Sequence, residues 1–156
     1  IRLLLGLDMQ APENTANQFK PGPGDTPELH LGSAGQQGFG NAESGGEGTR
    51  RFSVPAALAM HKFALGGSWE ITRQYARTVG TEVELQLRFK AARLYMVASA
   101  DSTTALEVTV DGNPQPAVEV QGSRLYTLFD SHDDREHVLH LRIPRAGLRV
   151  YSFTFG

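Results

Sequence analysis

Apolar and polar residues alternate along much of the chain after residue 60, as they do in strands with one buried face. The clearest segment is residues 81–89, where Val83, Leu85, Leu87 and Phe89 alternate with polar side chains. A period of two is the signature of a β-strand, because successive side chains point to opposite faces of a sheet. This segment therefore predicts a strand with one face in the core and one in water.

Short segments of the same character recur and predict about nine strands in all. They include residues 69–75, 94–98, 106–110, 118–120, 125–129, 137–143 and 148–155. Gly, Pro, Asp or Ser clusters separate them, and the run 111–114 (Asp-Gly-Asn-Pro) predicts a tight turn. No helical pattern alternates with the strands. The sequence predicts an all-β fold, a two-sheet antiparallel β-sandwich of the jelly-roll type.

Three segments are predicted along the chain. Residues 1–10 have leucines on one helical face and are interpreted as the end of a preceding domain. Residues 11–50 are rich in Gly and Pro and are predicted to be a linker and a loop. Within them Leu29, Leu31 and Phe39 are isolated apolar residues, which predict a segment pinned onto the sandwich. Residues 51–156 are assigned to the β-sandwich itself.

Composition narrows the function. The 15 basic and 17 acidic residues nearly cancel and form no basic stretch, so a nucleic-acid partner is not expected. The apolar run at residues 1–5 is too short for direct membrane insertion. The chain has no cysteine, which excludes a disulfide, a thiolate zinc site and a CxxC redox motif within it.

Catalytic motifs are incomplete. The run 66–70 (Gly-Gly-Ser-Trp-Glu) lacks the closing glycine of a nucleophile elbow and is interpreted as a turn. The glycine-rich loop 32–40 has no lysine to pair with a phosphate, and it neither leaves a strand nor opens a helix. We therefore expect no catalytic residues, no bound cofactor and no enzymatic activity in this segment.

Metal ligands are considered at residues 130–140, which hold three histidines and several carboxylates. If 137–143 is a strand, His137 and His140 point to opposite faces and cannot share one ion. A transition-metal site is therefore not expected. Loop carboxylates can bind calcium, and Asp130, Asp133 and Asp134 are weak candidates for it.

Aromatic residues give the better functional hint, because rings on a sandwich face can stack against sugars. Trp69, Tyr75 and Tyr126 are the candidate glycan ligands. Each of them also fits a second interpretation, in which the ring is half-buried in the core and its polar tip reaches a hydrogen-bond partner.

Several runs carry a family resemblance: 26–32 (Thr-Pro-Glu-Leu-His-Leu-Gly), 63–69 (Phe-Ala-Leu-Gly-Gly-Ser-Trp), 108–112 (Val-Thr-Val-Asp-Gly), 124–126 (Arg-Leu-Tyr) and 151–156 (Tyr-Ser-Phe-Thr-Phe-Gly). Over residues 26–156 the chain resembles the C-terminal, carbohydrate-binding-module-like sandwich of DipZ-type proteins. In that family a CcdA-like membrane domain and a thioredoxin-like domain precede the sandwich. His30 departs from the family pattern, in which a tyrosine is expected, so an aromatic contact there is altered.

The resemblance implies an extracytoplasmic domain of a membrane-tethered thiol–disulfide protein related to cytochrome c biogenesis, with the reactive cysteines upstream. The sandwich would be a non-catalytic accessory domain that binds cell-envelope glycan. The alternative is a protein-interaction or scaffolding domain that packs on the thioredoxin-like domain or on a client protein.

Overall fold

The computed structural model describes residues 24–156, and every helix or strand element in that range is a strand. They are β1 (Leu29–His30), β2 (Gly48–Phe52), β3 (Lys62–Ile71), β4 (Ala76–Thr78), β5 (Val83–Lys90), β6 (Arg93–Ala100), β7 (Thr104–Val110), β8 (Asn113–Pro114), β9 (Val118–Val120), β10 (Arg124–Asp130), β11 (Glu136–Ile143) and β12 (Leu148–Phe155). Residues 24–156 contain no helix long and apolar enough to span a membrane. The predicted segment 1–10 and the first part of the predicted linker lie outside the described residues.

The strands form two antiparallel sheets that share β3. Sheet I has the order β10–β6–β12–β4–β3, with β1 beside β12 and β2 beside β3. Sheet II has the order β3–β5–β11–β7–β8, with β9 beside β7. The all-β, two-sheet antiparallel fold predicted from alternation is therefore confirmed.

Strand β3 crosses from one sheet to the other at a glycine pair. Residues 62–66 pair with β5 in sheet II, and residues 67–71 pair with β2 and β4 in sheet I. Gly67 has φ of 87°, and a Cβ there would lie 2.8 Å from Val83 Cγ1. Only glycine adopts this conformation and permits this approach without strain. The turn predicted at Gly66 and Gly67 is wrong, because these residues lie within a strand that bends between the sheets.

The core lies between the sheets and is joined by aromatic contacts. Phe89 on β5 of sheet II is fully buried, and its ring centroid lies 5.7 Å from that of Phe155 on β12 of sheet I. The Phe129 ring on β10 also contacts Phe89, with 6.3 Å between the ring centroids. Along β5 the residues alternate strictly between buried and half-buried, as the sequence pattern predicted. The inward faces of both sheets thus form one apolar cluster.

The glycine-rich segment before residue 51 belongs to the sandwich. Leu29 and Leu31 are buried, and Phe39 packs edge-on against Phe52 and Phe63 at 6.0 and 5.7 Å. These isolated apolar residues therefore pack this segment onto the sandwich. Strand β1 lies within the stretch that composition assigned to linker and β2 begins in it, so the ordered domain begins well before residue 51.

Candidate binding surface

Trp69 lies on the inner face of β3. Its side chain has 0% exposure, and its Nε1 donates a hydrogen bond to the Gly66 carbonyl at 3.1 Å. Alternation along β3 requires this, since Ile71 on the same face is also buried. A ring without exposed area offers no face to a sugar. The prediction of Trp69 as a glycan platform is wrong, and the core interpretation of this residue holds.

Tyr126 closes a turn. The ring is 5% exposed, its Oη accepts a hydrogen bond from Gln121 N at 2.8 Å, and it donates to the Gln121 carbonyl at 2.6 Å. The Arg124 guanidinium covers the ring at 5.0 Å from its centroid. The hydroxyl thereby satisfies backbone groups of the turn before β10. Tyr126 is a structural residue, and its assignment as a glycan ligand is wrong for the same reason as that of Trp69.

Tyr75 is the one member of the predicted set that reaches the surface. It ends the turn before β4 and is half-buried. The turn is held by Thr72, whose backbone N donates to the Tyr75 carbonyl at 2.8 Å. The Tyr75 ring packs edge-on against Tyr151 at 5.4 Å between centroids. The structure therefore places a pair of half-buried tyrosines on the outer face of sheet I.

A β-bulge in β12 positions Tyr151. The register against β6 shifts between Val150 and Ser152, which leaves Tyr151 as the extra residue. Bulges redirect a side chain and occur often beside functional sites. Tyr151 Oη lies 3.3 Å from Ser99 Oγ on β6. The bulge thus leaves two successive residues, Tyr151 and Ser152, between the inward-facing Val150 and Phe153, with Tyr151 beside Ser99 on the outer face.

Arg149 connects this pair to the neighbouring strands. Its Nη2 donates to Asp101 Oδ1 at 2.8 Å, its Nη1 lies 3.4 Å from Ser99 Oγ, and its guanidinium lies 5.9 Å from the Tyr75 ring centroid. Burial lowers the pKa of Arg149, but the hydrogen bonds and charges of Asp101 and Tyr75 together outweigh it, so the pKa is raised. Arg149 is therefore a fixed cation beside the Tyr75 ring.

A row of polar residues crosses the outer face of sheet I. Thr49, Glu70, Arg77, Arg149 and Ser99 stand opposite one another on β2, β3, β4, β12 and β6. Glu70 and Arg77 form an ion pair of 2.9 Å. Since the side chains of neighbouring strands lie on the same face at paired positions, these groups form one continuous surface. We call this row, together with Tyr75 and Tyr151, the sheet I surface.

His30 lies at the edge of the sheet I surface. It pairs with Ser152 on β12, while its neighbour Leu29 faces the core. The hydrogen bond that His30 donates to the Glu28 carboxylate raises the pKa of His30 and lowers the pKa of Glu28. The family departure noted at His30 therefore falls on this face, where a His30–Glu28 pair, with Nε2 and Oε1 3.6 Å apart, stands in place of the expected tyrosine.

Each of the three aspartates predicted as weak calcium ligands forms an ion pair with a different basic side chain. Asp130 pairs with an arginine at 3.5 Å, Asp133 with another at 2.6 Å, and Asp134 with a lysine at 3.4 Å; the three bases are Arg93, Arg135 and Lys90. Residues 24–156 hold no group of three or more His, Cys, Asp or Glu side chains arranged to bind a metal. Calcium binding by Asp130, Asp133 and Asp134 is therefore not supported.

The two histidines of β11 have separate roles, as predicted. His137 is buried with its Nδ1 2.7 Å from Asp111 Oδ2, and His140 Nε2 lies 2.7 Å from Glu84 Oε1 on the opposite face. An Asp–His pair also occurs in hydrolases, but His137 Nε2 is buried and has no hydrogen-bond partner. Within residues 24–156 no hydrogen bond joins Ser68 to a histidine. The structure thus shows no hydrolytic triad in the described part of the chain.

Arg149 and Tyr151 were not among the predicted site residues. The signal for them lies in the spacing of the buried apolar residues along β12, which runs 148, 150, 153, 155. A period of two would continue from 150 to 152, so the three-residue step marks the bulge.

These features define a β-sandwich with a polar and aromatic outer face. The chain belongs to the family described as the thioredoxin-like C-terminal domain, whose model matches residues 26–156. It is 28% identical over 152 residues to Protein DipZ of Mycobacterium bovis and, to the same extent, to Protein DipZ of Mycobacterium tuberculosis. Each alignment covers 97% of this chain and 21% of the relative, so the chain spans about a fifth of these relatives.

A solved structure shares the fold. A family two carbohydrate esterase from Cellvibrio japonicus superposes with a TM-score of 0.55 over 58% of this chain and 29% of that chain, at 13% identity. At this identity the likeness supports the β-sandwich architecture alone. The predicted resemblance to DipZ-type proteins is confirmed by the family match and by the two relatives.

Proposed function

We propose that this chain is the accessory β-sandwich of a membrane-tethered thiol–disulfide protein on the extracytoplasmic side, connected with cytochrome c biogenesis. The family description and the similarity to Protein DipZ support this parent. The chain has no cysteine, so thiol chemistry would depend on other parts of the parent. Within it we propose that the sandwich is non-catalytic and binds a cell-envelope glycan through the sheet I surface.

The observation that carries glycan binding is the Tyr75–Tyr151 pair beside fixed hydrogen-bonding groups. Sugars present apolar ring faces and hydroxyls, and an aromatic side chain with adjacent polar groups complements both. Arg149 and Arg77 already pair with Asp101 and Glu70. Because these charges are paired within the protein, an anionic ligand would have to break an ion pair to gain a new one. An uncharged glycan is therefore the better fit.

A glycan array of neutral and anionic cell-wall saccharides, followed by calorimetry on the best neutral ligand, tests this function. Tyr75→Ala should weaken binding about tenfold, equivalent to roughly 1.4 kcal/mol. Glu119→Ala is the matched surface control, because Glu119 is exposed on β9 of sheet II. Glycan binding is refuted if no saccharide binds, or if binding is unaffected by Tyr75→Ala.

A further inference from the structure

A cleft of about 430 Å³ lies on the outer face of sheet II, far from the tyrosine pair in the strand order. One wall is the loop of residues 55–58, and the floor is formed by β5 and β11. Clefts of about 300–1,000 Å³ are the usual size of sites for small ligands or short peptide segments. No residue of the sheet I surface lines this cleft.

The apolar part of the cleft contains Val138, which is 43% exposed. Among residues 24–156 it is the one large apolar side chain that is exposed. Pro55 and Leu58 line the same cleft. An apolar side chain left in water beside an apolar wall gains free energy when a ligand covers it. The cleft is therefore suited to one aliphatic group.

Arg88 holds the cleft open and in shape. Its Nη1 donates to the Leu58 carbonyl at 3.2 Å, and its Nη2 pairs with Glu136 Oε1 at 3.3 Å. The guanidinium thus ties the 55–58 loop to both strands of the floor. Preformed walls reduce the ordering cost of binding.

The polar groups of the cleft are mainly acceptors. Asp111 and Glu136 carry exposed carboxylates, with side-chain exposures of 44% and 60%. Glu136 already pairs with Arg88, and Asp111 accepts from Val138 N and lies 2.7 Å from His137 Nδ1, but two carboxylates against one guanidinium give the lining a net negative formal charge. The Gln86 amide on the floor can both donate to and accept from a peptide group. This chemistry is complementary to an amide and to a cation.

We propose that this cleft binds an extended peptide segment in which an aliphatic residue is followed by Lys or Arg. The aliphatic side chain of the peptide packs on Val138, and a peptide backbone amide forms a hydrogen bond with the Gln86 side chain. The basic side chain of the peptide reaches the Asp111 and Glu136 carboxylates. Addition of the peptide as a new strand is excluded here, because β5 and β11 each have a strand on both sides. Recognition therefore comes from side chains, and the site is independent of the glycan function.

Nuclear magnetic resonance titration of the ¹⁵N-labelled chain tests the proposal with a capped Gly-Leu-Lys-Gly peptide. Shifts should be confined to β5, β11 and residues 55–58. Val138→Ser should weaken binding about tenfold, because it removes about one buried methyl group and adds a polar one. Val138→Thr, of nearly the same shape, provides a second variant if the first folds poorly.

Two changes to the peptide separate the contribution of its aliphatic residue from that of its basic residue. Replacing Leu by Ser in the peptide should abolish the shifts, and replacing Lys by Glu should weaken binding at low salt by at least about fivefold. Tyr75→Ala should leave peptide binding unchanged, which separates this site from the sheet I surface. The proposal is overturned if the peptide causes no shifts at millimolar concentration, or if Val138→Ser binds it as the wild type does.

Discussion

Replacing Trp69 by alanine should destabilise the fold without removing a ligand contact. The side chain is fully buried, and its Nε1 is bonded to the Gly66 carbonyl at 3.1 Å. Truncating a buried tryptophan to alanine costs about 3–5 kcal/mol, which includes the cavity left behind. A domain of this size is typically stable by about 5–15 kcal/mol. Trp69→Ala should therefore remove a large part of the free energy of unfolding.

Trp69→Phe is the matched control, because it keeps a buried ring but lacks the N–H donor. It should cost less than the alanine variant, about 1–3 kcal/mol, since the Gly66 carbonyl loses a partner and a small cavity forms. Urea denaturation followed by far-ultraviolet circular dichroism measures both. Fluorescence cannot compare them with the wild type, because Trp69 is the only tryptophan.

The same samples are then tested for saccharide binding below their denaturation midpoints. Folded Trp69→Phe protein should bind any ligand of the sheet I surface as the wild type does. If Trp69→Ala instead changed the free energy of unfolding by less than about 0.5 kcal/mol while abolishing saccharide binding, the ring would have to be exposed. That result would contradict its placement in the core.

Three further changes test other parts of the structure. Tyr126→Phe should cost about 1–3 kcal/mol in urea denaturation, because the Gln121 backbone groups lose a buried partner. Gly67→Ala should lower the melting temperature markedly, since a non-glycine residue at positive φ costs about 1–2 kcal/mol before any clash is counted; an unchanged melting temperature would argue against the bend in β3. Burial raises the pKa of Asp111, but the hydrogen bonds with His137 and Val138 N, together with the charges of His137 and Arg135, outweigh this and the pKa is lowered. Asp111 thus contributes stability that is present above about pH 4 and lost as the pH falls through its folded pKa, so acid titrations should show a shallower loss in Asp111→Asn.

Alternation was enough to predict most of the fold. Strand β12 is observed at the predicted residues, 148–155, and the strand predicted at 81–89 is observed as Val83–Lys90. Both are bordered by polar turns and have one buried face, so a local pattern contains the necessary information. The predicted strand 69–75 was only partly correct, because the backbone leaves β3 after Ile71 to form the turn that ends at Tyr75.

The sheet I surface was harder to predict because it depends on pairing between distant strands. Tyr75, Arg149 and Ser99 are far apart in sequence, and only the sheet order brings them together. Trp69 and Tyr126 are the same residue types as a glycan platform requires, yet the face on which each lies decides its role. Residue type alone does not predict whether an aromatic side chain points into the core or toward solvent.

The two outer faces of the sandwich use their charged residues differently, and this difference separates their proposed ligands. On the sheet I surface Arg77 and Arg149 pair with Glu70 and Asp101, which leaves hydroxyls and aromatic rings as the groups best able to gain from a ligand. In the sheet II cleft the one arginine is engaged by the protein, and carboxylates remain exposed beside an apolar side chain. A neutral sugar suits the first arrangement and a basic, aliphatic peptide suits the second. Because the faces belong to opposite sides of one core, the same domain can in principle hold a cell-envelope glycan and a polypeptide at once.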